Sequence, residues 1–211
     1  MTVTRIQSNE MGSNSYILLD GESGEGAVID VGSFSPELQT AIAQSGIKQL
    51  KYILLTHGHF DHILGVHDLK EKYPDARIAI HREDAVSLYD PEESLASTSS
   101  VVQKPAKADI ILEDGDEISI GKNVLRVMHT PGHTMGSVCY ILEPEHMIFS
   151  GDTLFCRTVG RTDLRGGSWS DLLASLERLM SLEGDYEVFP GHNRQTSLAV
   201  ERVSNRYLRK K

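Results

Sequence analysis

Apolar residues recur along this chain at two spacings, and the spacings alternate. Short runs that read as strands fall at residues 2–7, 15–19 and 27–31, with turn-forming stretches at 9–14 and 21–26 between them. A helix is expected next, because Ser35 suits the cap, Pro36 the first helical position and Gly46 the stop. The short apolar run 52–55 reads as a buried strand and leads directly into Thr56-His57-Gly58-His59-Phe60-Asp61-His62. A helix over 63–72 ends before Pro74, a strand follows at 77–80, and a helix at 82–88.

Residues 91–108 break the pattern. They are polar, small and punctuated by proline, the composition of a connecting loop. Beyond them strands dominate, at 118–120, 124–128, 138–142 and 147–149, before a glycine- and arginine-rich loop over 151–167. Leu172, Leu173, Leu176 and Leu179 give residues 170–180 helical spacing, with Ser168 or Ser170 as cap. A strand at 186–189 and a helix at 197–208 close the chain. The β runs form two groups, each flanked by helices. That predicts an α+β arrangement of two packed sheets with helices outside. No G-x-G-x-x-G stands at a strand–helix turn, so a dinucleotide site has no support.

Composition narrows the classes further. The 211 residues, 39% hydrophobic and 24% charged, can bury a core as one domain over 1–211. A net charge of −9 disfavours a nucleic-acid partner. The basic end (Arg202, Arg206, Arg209, Lys210, Lys211) is expected to be the solvated close of the last helix, where the dipole favours cations. No stretch is long and apolar enough to span a membrane, and residues 1–20 lack the marks of a secretory signal, so a cytoplasmic protein is expected. Two cysteines, Cys139 in an apolar run and Cys156 in a loop, neither build a disulfide scaffold nor hold a zinc by themselves.

The chemistry is concentrated in histidine. Three of the nine histidines fall within residues 57–62, beside Asp61, at the end of a buried strand where such folds place their sites. Imidazole and carboxylate are ligands that zinc, iron and manganese accept. His57 and His59 can converge on one ion, while adjacent Asp61 and His62 point apart and can serve a second. Three later segments repeat the pattern of apolar strand, polar loop and one ligand type, at His133, Asp152 and His192. In each, a neighbouring glycine permits a tight turn that aims the ligand inward.

With THGHFDH, TPGHT, GDTLF, GRTDL and PGH spread over residues 56–192, the chain resembles the metallo-β-lactamase superfamily and, within it, the glyoxalase II-like hydrolases. The resemblance implies a four-layer αββα sandwich with metals in a groove at one edge. It implies that His57, His59 and His133 hold a first ion, that Asp61, His62 and His192 hold a second, and that Asp152 bridges them. Zinc is the default, and iron or manganese fit the same ligands. His67, His81 and His146 fall outside the matching motifs, and His129 is expected to pack near the site rather than to bind.

Two metals about 3.5–4 Å apart can share a water and bring its pKa near 7, making a bridging hydroxide available, with Asp61 orienting it. No separate strong acid is evident. That suits a thiolate leaving group, whose conjugate acid has a pKa of about 8.5, better than an amide nitrogen. The family's S-acylglutathione hydrolysis, for example of S-lactoylglutathione, agrees with this, and a small-molecule thioester or ester is the expected partner. Little sequence follows the last histidine, so the helical domain found there in the best-studied members is not expected, and the chain resembles a compact bacterial branch. Arg161 can meet a substrate carboxylate or form an ion pair within its own loop. The alternatives are a persulfide dioxygenase with one iron on His57, His133 and Asp152, a phosphodiesterase or nuclease, a secreted β-lactamase, and a non-catalytic metal-binding protein.

Overall fold

In the computed structural model, which describes residues 1–8 and 11–208, most strands sort into two six-stranded sheets. The first holds β1 (Thr2–Gln7), β2 (Asn14–Leu19), β3 (Glu25–Ile29), β4 (Gln49–Leu54), β5 (Arg77–His81) and β6 (Ile110–Leu112), in that spatial order. Its first three strands pair antiparallel. The pairs from β3 to β6 are parallel. Parallel neighbours need long crossovers. Those after β3 and β4 carry α1 (Pro36–Gln44), α2 (Phe60–Ile63) and α3 (Val66–Lys72).

The second sheet begins with β7 (Glu117–Ile120), β8 (Asn123–His129), β9 (Val138–Leu142) and β10 (Met147–Gly151). A two-stranded ribbon follows, β11 (Leu154–Phe155) and β12 (Thr158–Val159), then α4 (Trp169–Met180). Finally β13 (Glu187–Pro190) and β14 (Thr196–Ser197) extend the sheet to the order β14-β13-β10-β9-β8-β7, and α5 (Leu198–Ser204) packs on it.

Strand periodicity divides the apolar residues into layers. Tyr16, Leu18, Ile29 and Leu54 of the first sheet meet Val127, Tyr140, Leu142 and Phe149 of the second in one buried cluster. Their strand neighbours Ile17, Val28 and Ile53 point the other way, onto Leu38 and Ile42 of α1 and Val66 and Leu69 of α3. Cys139, Ile141 and Ile148 face Leu172, Leu176 and Leu179 of α4. This is the expected αββα sandwich. Each large apolar side chain so buried contributes about 1.5–3 kcal/mol.

The departures from the sequence reading have local causes. The helix expected over 63–72 is two helices, interrupted at Gly65, whose N–H donates to Val31 O instead (2.8 Å). Residues 82–88 form a 3₁₀ helix. The loop at 91–108 contains a short 3₁₀ turn and is tied down where Ser94 Oγ donates to Gln103 Oε1 and Gln103 Nε2 donates to Ser87 O. The closing helix stops at Ser204 rather than near 208, because Asn205 turns inward, extended, and bonds Thr158 O and Glu201 Oε2. Of the basic end, Arg209, Lys210 and Lys211 lie outside the described residues.

The two sheets are joined at one edge by Val138 N–H, which donates to Thr56 O. At that edge β4 ends at the histidine-rich loop. The parallel pair β10 and β13 delivers Asp152 and His192 to the same side, and the turn between β8 and β9 delivers His133.

Candidate metal centre

His57 shows how the fold prepares a ligand. The Thr56 hydroxyl gives its one proton to Asp30 Oδ2 (2.7 Å), so it can only accept from His57 Nδ1–H (3.1 Å). That fixes the tautomer and leaves Nε2 with a bare lone pair. This Nε2 is buried and has no hydrogen-bond partner. His133 is set the same way, its Nδ1–H donating to Arg161 O (2.8 Å), with Nε2 left 2.9 Å from His59 Nδ1. His57, His59 and His133 each offer a nitrogen within 4.8 Å of the others. Burial and the neighbouring histidines hold His57 far below the usual imidazole range, and burial and His133 hold His59 at about 3. The three imidazoles converge as a set of nitrogen donors, with His57 Nε2 unpartnered. A cation satisfies it.

The second cluster, Asp61, His62 and His192, is also within 4.8 Å. His62 Nδ1 lies 2.9 Å from Asp30 Oδ2, which sends Nε2 toward His192 Nε2 (3.1 Å), Asp152 Oδ1 (3.5 Å) and Asp61 Oδ2 (3.7 Å). Burial opposes charge on His62, but Asp61, Asp152 and Asp30 outweigh it and raise its pKa to about 10. Burial likewise opposes the Asp61 carboxylate, but His62 and His192 hold it well below the carboxylate range. His192 is raised, with burial outweighed by its bond to Asp61 Oδ2 at 3.1 Å and by Asp152.

Asp152 stands between the clusters, with Oδ2 3.5 Å from His133 Nε2 and 3.7 Å from His192 Nε2. Its Oδ1 is buried without a hydrogen-bond partner. Two unpartnered buried acceptors, one in the first cluster and one between the two, fit divalent cations, since such groups are otherwise costly. The structure therefore brings all seven residues together. Gly132 and Gly151 take positive φ (134° and 48°), as a tight turn beside the ligand requires, and Gly191 does not.

Sequence reasoning missed Asp30. It accepts from Thr56 N, Thr56 Oγ1 and His62 Nδ1 and so orients one histidine of each cluster. The available signal was a carboxylate at the end of an apolar strand, and it adopts a φ of 55° there. The site opens into a cavity of about 550 Å³ lined also by Phe60, Leu95, Phe155, Val159, Leu164 and Asn193. Arg161 lines it too, with its guanidinium held by both oxygens of Asp163 at 2.7 Å. His129 does not bind here. It stacks on His81 (centroids 4.0 Å apart), and its Nε2 bonds Met135 O.

The metallo-β-lactamase superfamily model matches residues 9–192. The chain belongs to this superfamily. It is a metal-dependent hydrolase by that membership. Over 97% of its length it is 32% identical to the probable metallo-hydrolase YqgX of Bacillus subtilis, of which 96% is covered. It is 36% identical to a hydroxyacylglutathione hydrolase of Francisella tularensis subsp. novicida, over 69% of this chain and 50% of that enzyme. Among solved structures, the B3 metallo-β-lactamase BLEG-1 superposes with a TM-score of 0.91 at 33% identity, covering 98% of this chain and 99% of that one. A di-iron-bound protein, TTHA1623, gives 0.83 at 32% identity, covering 98% of this chain and all of that one. ETHE1 from Myxococcus xanthus gives 0.81 at 27% identity, covering 98% of this chain and 84% of that one. No helix among the described residues is long and apolar enough to cross a membrane.

Proposed function

We propose that the chain is a binuclear thioester hydrolase acting on small acyl thioesters such as S-lactoylglutathione. In this reading His57, His59 and His133 would hold one divalent cation, Asp61, His62 and His192 would hold another, and Asp152, which lies between the clusters, would serve both, with zinc as the default. Bound there, the cations supply Lewis acidity, polarising the acyl carbonyl and acidifying the attacking water. The chain's own residues do the rest. Asp61, at the cavity wall, accepts a hydrogen bond from that water and holds its lone pair toward the carbonyl. Phe60, Leu95, Phe155, Val159 and Leu164 keep the acyl group out of bulk solvent. Asp30 keeps a proton on His62 Nδ1, so that Nε2 remains the donor atom.

One observation carries the choice of thioester. Apart from the seven proposed ligands, the polar side chains lining the cavity are Thr158, Arg161 and Asn193. None has a pKa suited to protonating a departing nitrogen or alkoxide, whereas a thiolate leaves unaided. The similarity to a hydroxyacylglutathione hydrolase supports the same reading.

The same ligands leave a second reading, a persulfide dioxygenase with one iron on His57, His133 and Asp152, since imidazole and carboxylate also suit iron and these three side chains lie together. Purified protein incubated separately with S-lactoylglutathione, with glutathione persulfide under an oxygen electrode, and with a chromogenic β-lactam separates the readings. Thioester loss alone is expected. Oxygen uptake with the persulfide, without thioester cleavage, would move the chain to the second reading. β-Lactam opening as the only activity would contradict both.

A further inference from the structure

Asp84 is a carboxylate that the reading above does not use. It lies in the 3₁₀ segment Arg82–Leu88 and is 5% exposed. Its Oδ2 accepts from Gly58 N–H (2.8 Å) and from the Thr134 hydroxyl (2.7 Å), and its Oδ1 accepts from Gly136 N–H (2.8 Å). Gly58 separates His57 from His59, and Thr134 follows His133. One buried side chain therefore fastens the loop at the end of β4, in the first sheet, to the turn between β8 and β9, in the second. It does so beside all three histidines of the first cluster. Both approaches are close. A Cβ on Gly58 would come within 2.6 Å of Ser87 and 3.2 Å of the Asp84 Cβ, and one on Gly136 within 2.6 Å of the Asp84 carboxylate.

A carboxylate with no counter-ion in contact is an expensive way to fill this space. Desolvating it costs free energy that hydrogen bonds offset in part, and a well-packed apolar side chain is often as stable. What an apolar residue cannot do is hold two backbone N–H groups and a hydroxyl, from two sheets, at one point.

The geometry points to Asp84 as the positioning residue of the first metal cluster, fixing His57 and His59 against His133 across the seam between the sheets. This rests on the metal site proposed above and deepens it. Outer partners of this kind alter metal affinity about 10–100-fold when removed. Asp84→Asn keeps the shape but cannot keep the bonds. Whichever oxygen the amide nitrogen replaces, either Gly58 N–H or Gly136 N–H loses its acceptor.

The test is competition for Zn²⁺ against a chromophoric chelator, read beside far-UV circular dichroism and thermal unfolding. D84N is expected to keep its secondary structure and hold one zinc as the wild type does, with affinity for the other reduced about 10–100-fold. T134V removes one bond of the three. It is expected to shift the same zinc less, and it decides the matter should D84N not fold. D109N is the comparison. Asp109 also accepts a backbone N–H, from Ile78 at 2.9 Å, away from the cavity, so its loss lowers the melting temperature without moving either zinc affinity. If D84N and T134V behave like D109N, the role is overturned. A wild-type protein that takes up no zinc would overturn the metal site itself, and this role with it.

Discussion

The two histidine clusters sit side by side, yet the protein treats them differently. His57, His59 and His133 are all imidazole, at most 5% exposed, and drawn from loops of both sheets. Burial drives their first two members toward the neutral form. Asp61, His62 and His192 mix in a carboxylate and are more open at Asp61 and His192. Burial opposes charge on His62, but Asp61, Asp152 and Asp30 outweigh it, and its pKa rises to about 10. The first cluster thus offers an unpartnered buried lone pair, at His57 Nε2, that a cation would relieve. The second, without a cation, keeps a proton where the cation's charge would be. A site can be equally well assembled in both halves and still be ready for metal in one half only.

The largest expected effect comes from breaking the proposed ligands themselves. His59→Ala or Asp152→Ala should release metal and lower kcat/KM by about 10³-fold or more, since bound metal supplies several kcal/mol of transition-state stabilisation. Metal analysis and thioester turnover on the same samples check this. His146→Ala, in a turn against Tyr186, should change neither.

Asp30→Ala strikes the support that both clusters share. It strips acceptors from Thr56 and from the buried His62. Loss of one partner of a buried charged pair costs on the order of 3–5 kcal/mol, measurable by urea unfolding of the metal-free protein.

The third effect is a proton count. His62 has a folded pKa of about 10 against roughly 6.5 unfolded, so its protonation stabilises the metal-free fold fully below pH ~6.5. That contribution is lost as pH climbs toward about 10. Zinc at this cluster must displace the proton. Near pH 7, calorimetric titration in two buffers of different ionisation enthalpy should report release of at least one proton from the second cluster, where His62 and His192 are both raised. In His62→Ala, zinc uptake by the first cluster should release close to none. The smallest effect belongs to Arg161. Its ion pair with Asp163 is exposed and screened by solvent, so Arg161→Ala should leave the melting temperature nearly unchanged.

These contrasts also separate what was legible in the chain from what was not. The ligands announced themselves because each follows an apolar strand and sits beside a glycine or another ligand type. That is a local pattern. β1 and β9 have the bounds that the sequence pattern predicts, and Ser35 caps α1 as expected. Asp30 follows an apolar strand as the ligands do, but the roles of Asp30 and Asp84 depend on partners 26 to 52 positions away, which no local pattern names. β6, β11, β12 and β14, two or three residues each, carry too few side chains for a period to register. The break at Gly65 arises from a backbone bond to Val31, a tertiary contact that helical spacing does not encode.

The central claim is that the seven residues form two metal positions of unlike character, and metal content per chain tests it most directly. After zinc loading and removal of excess, wild-type protein should hold about two ions, and His62→Ala, still folded, should hold about one. A single ion in the wild type, retained undiminished in His62→Ala, would contradict the claim and leave one metal position at the first cluster.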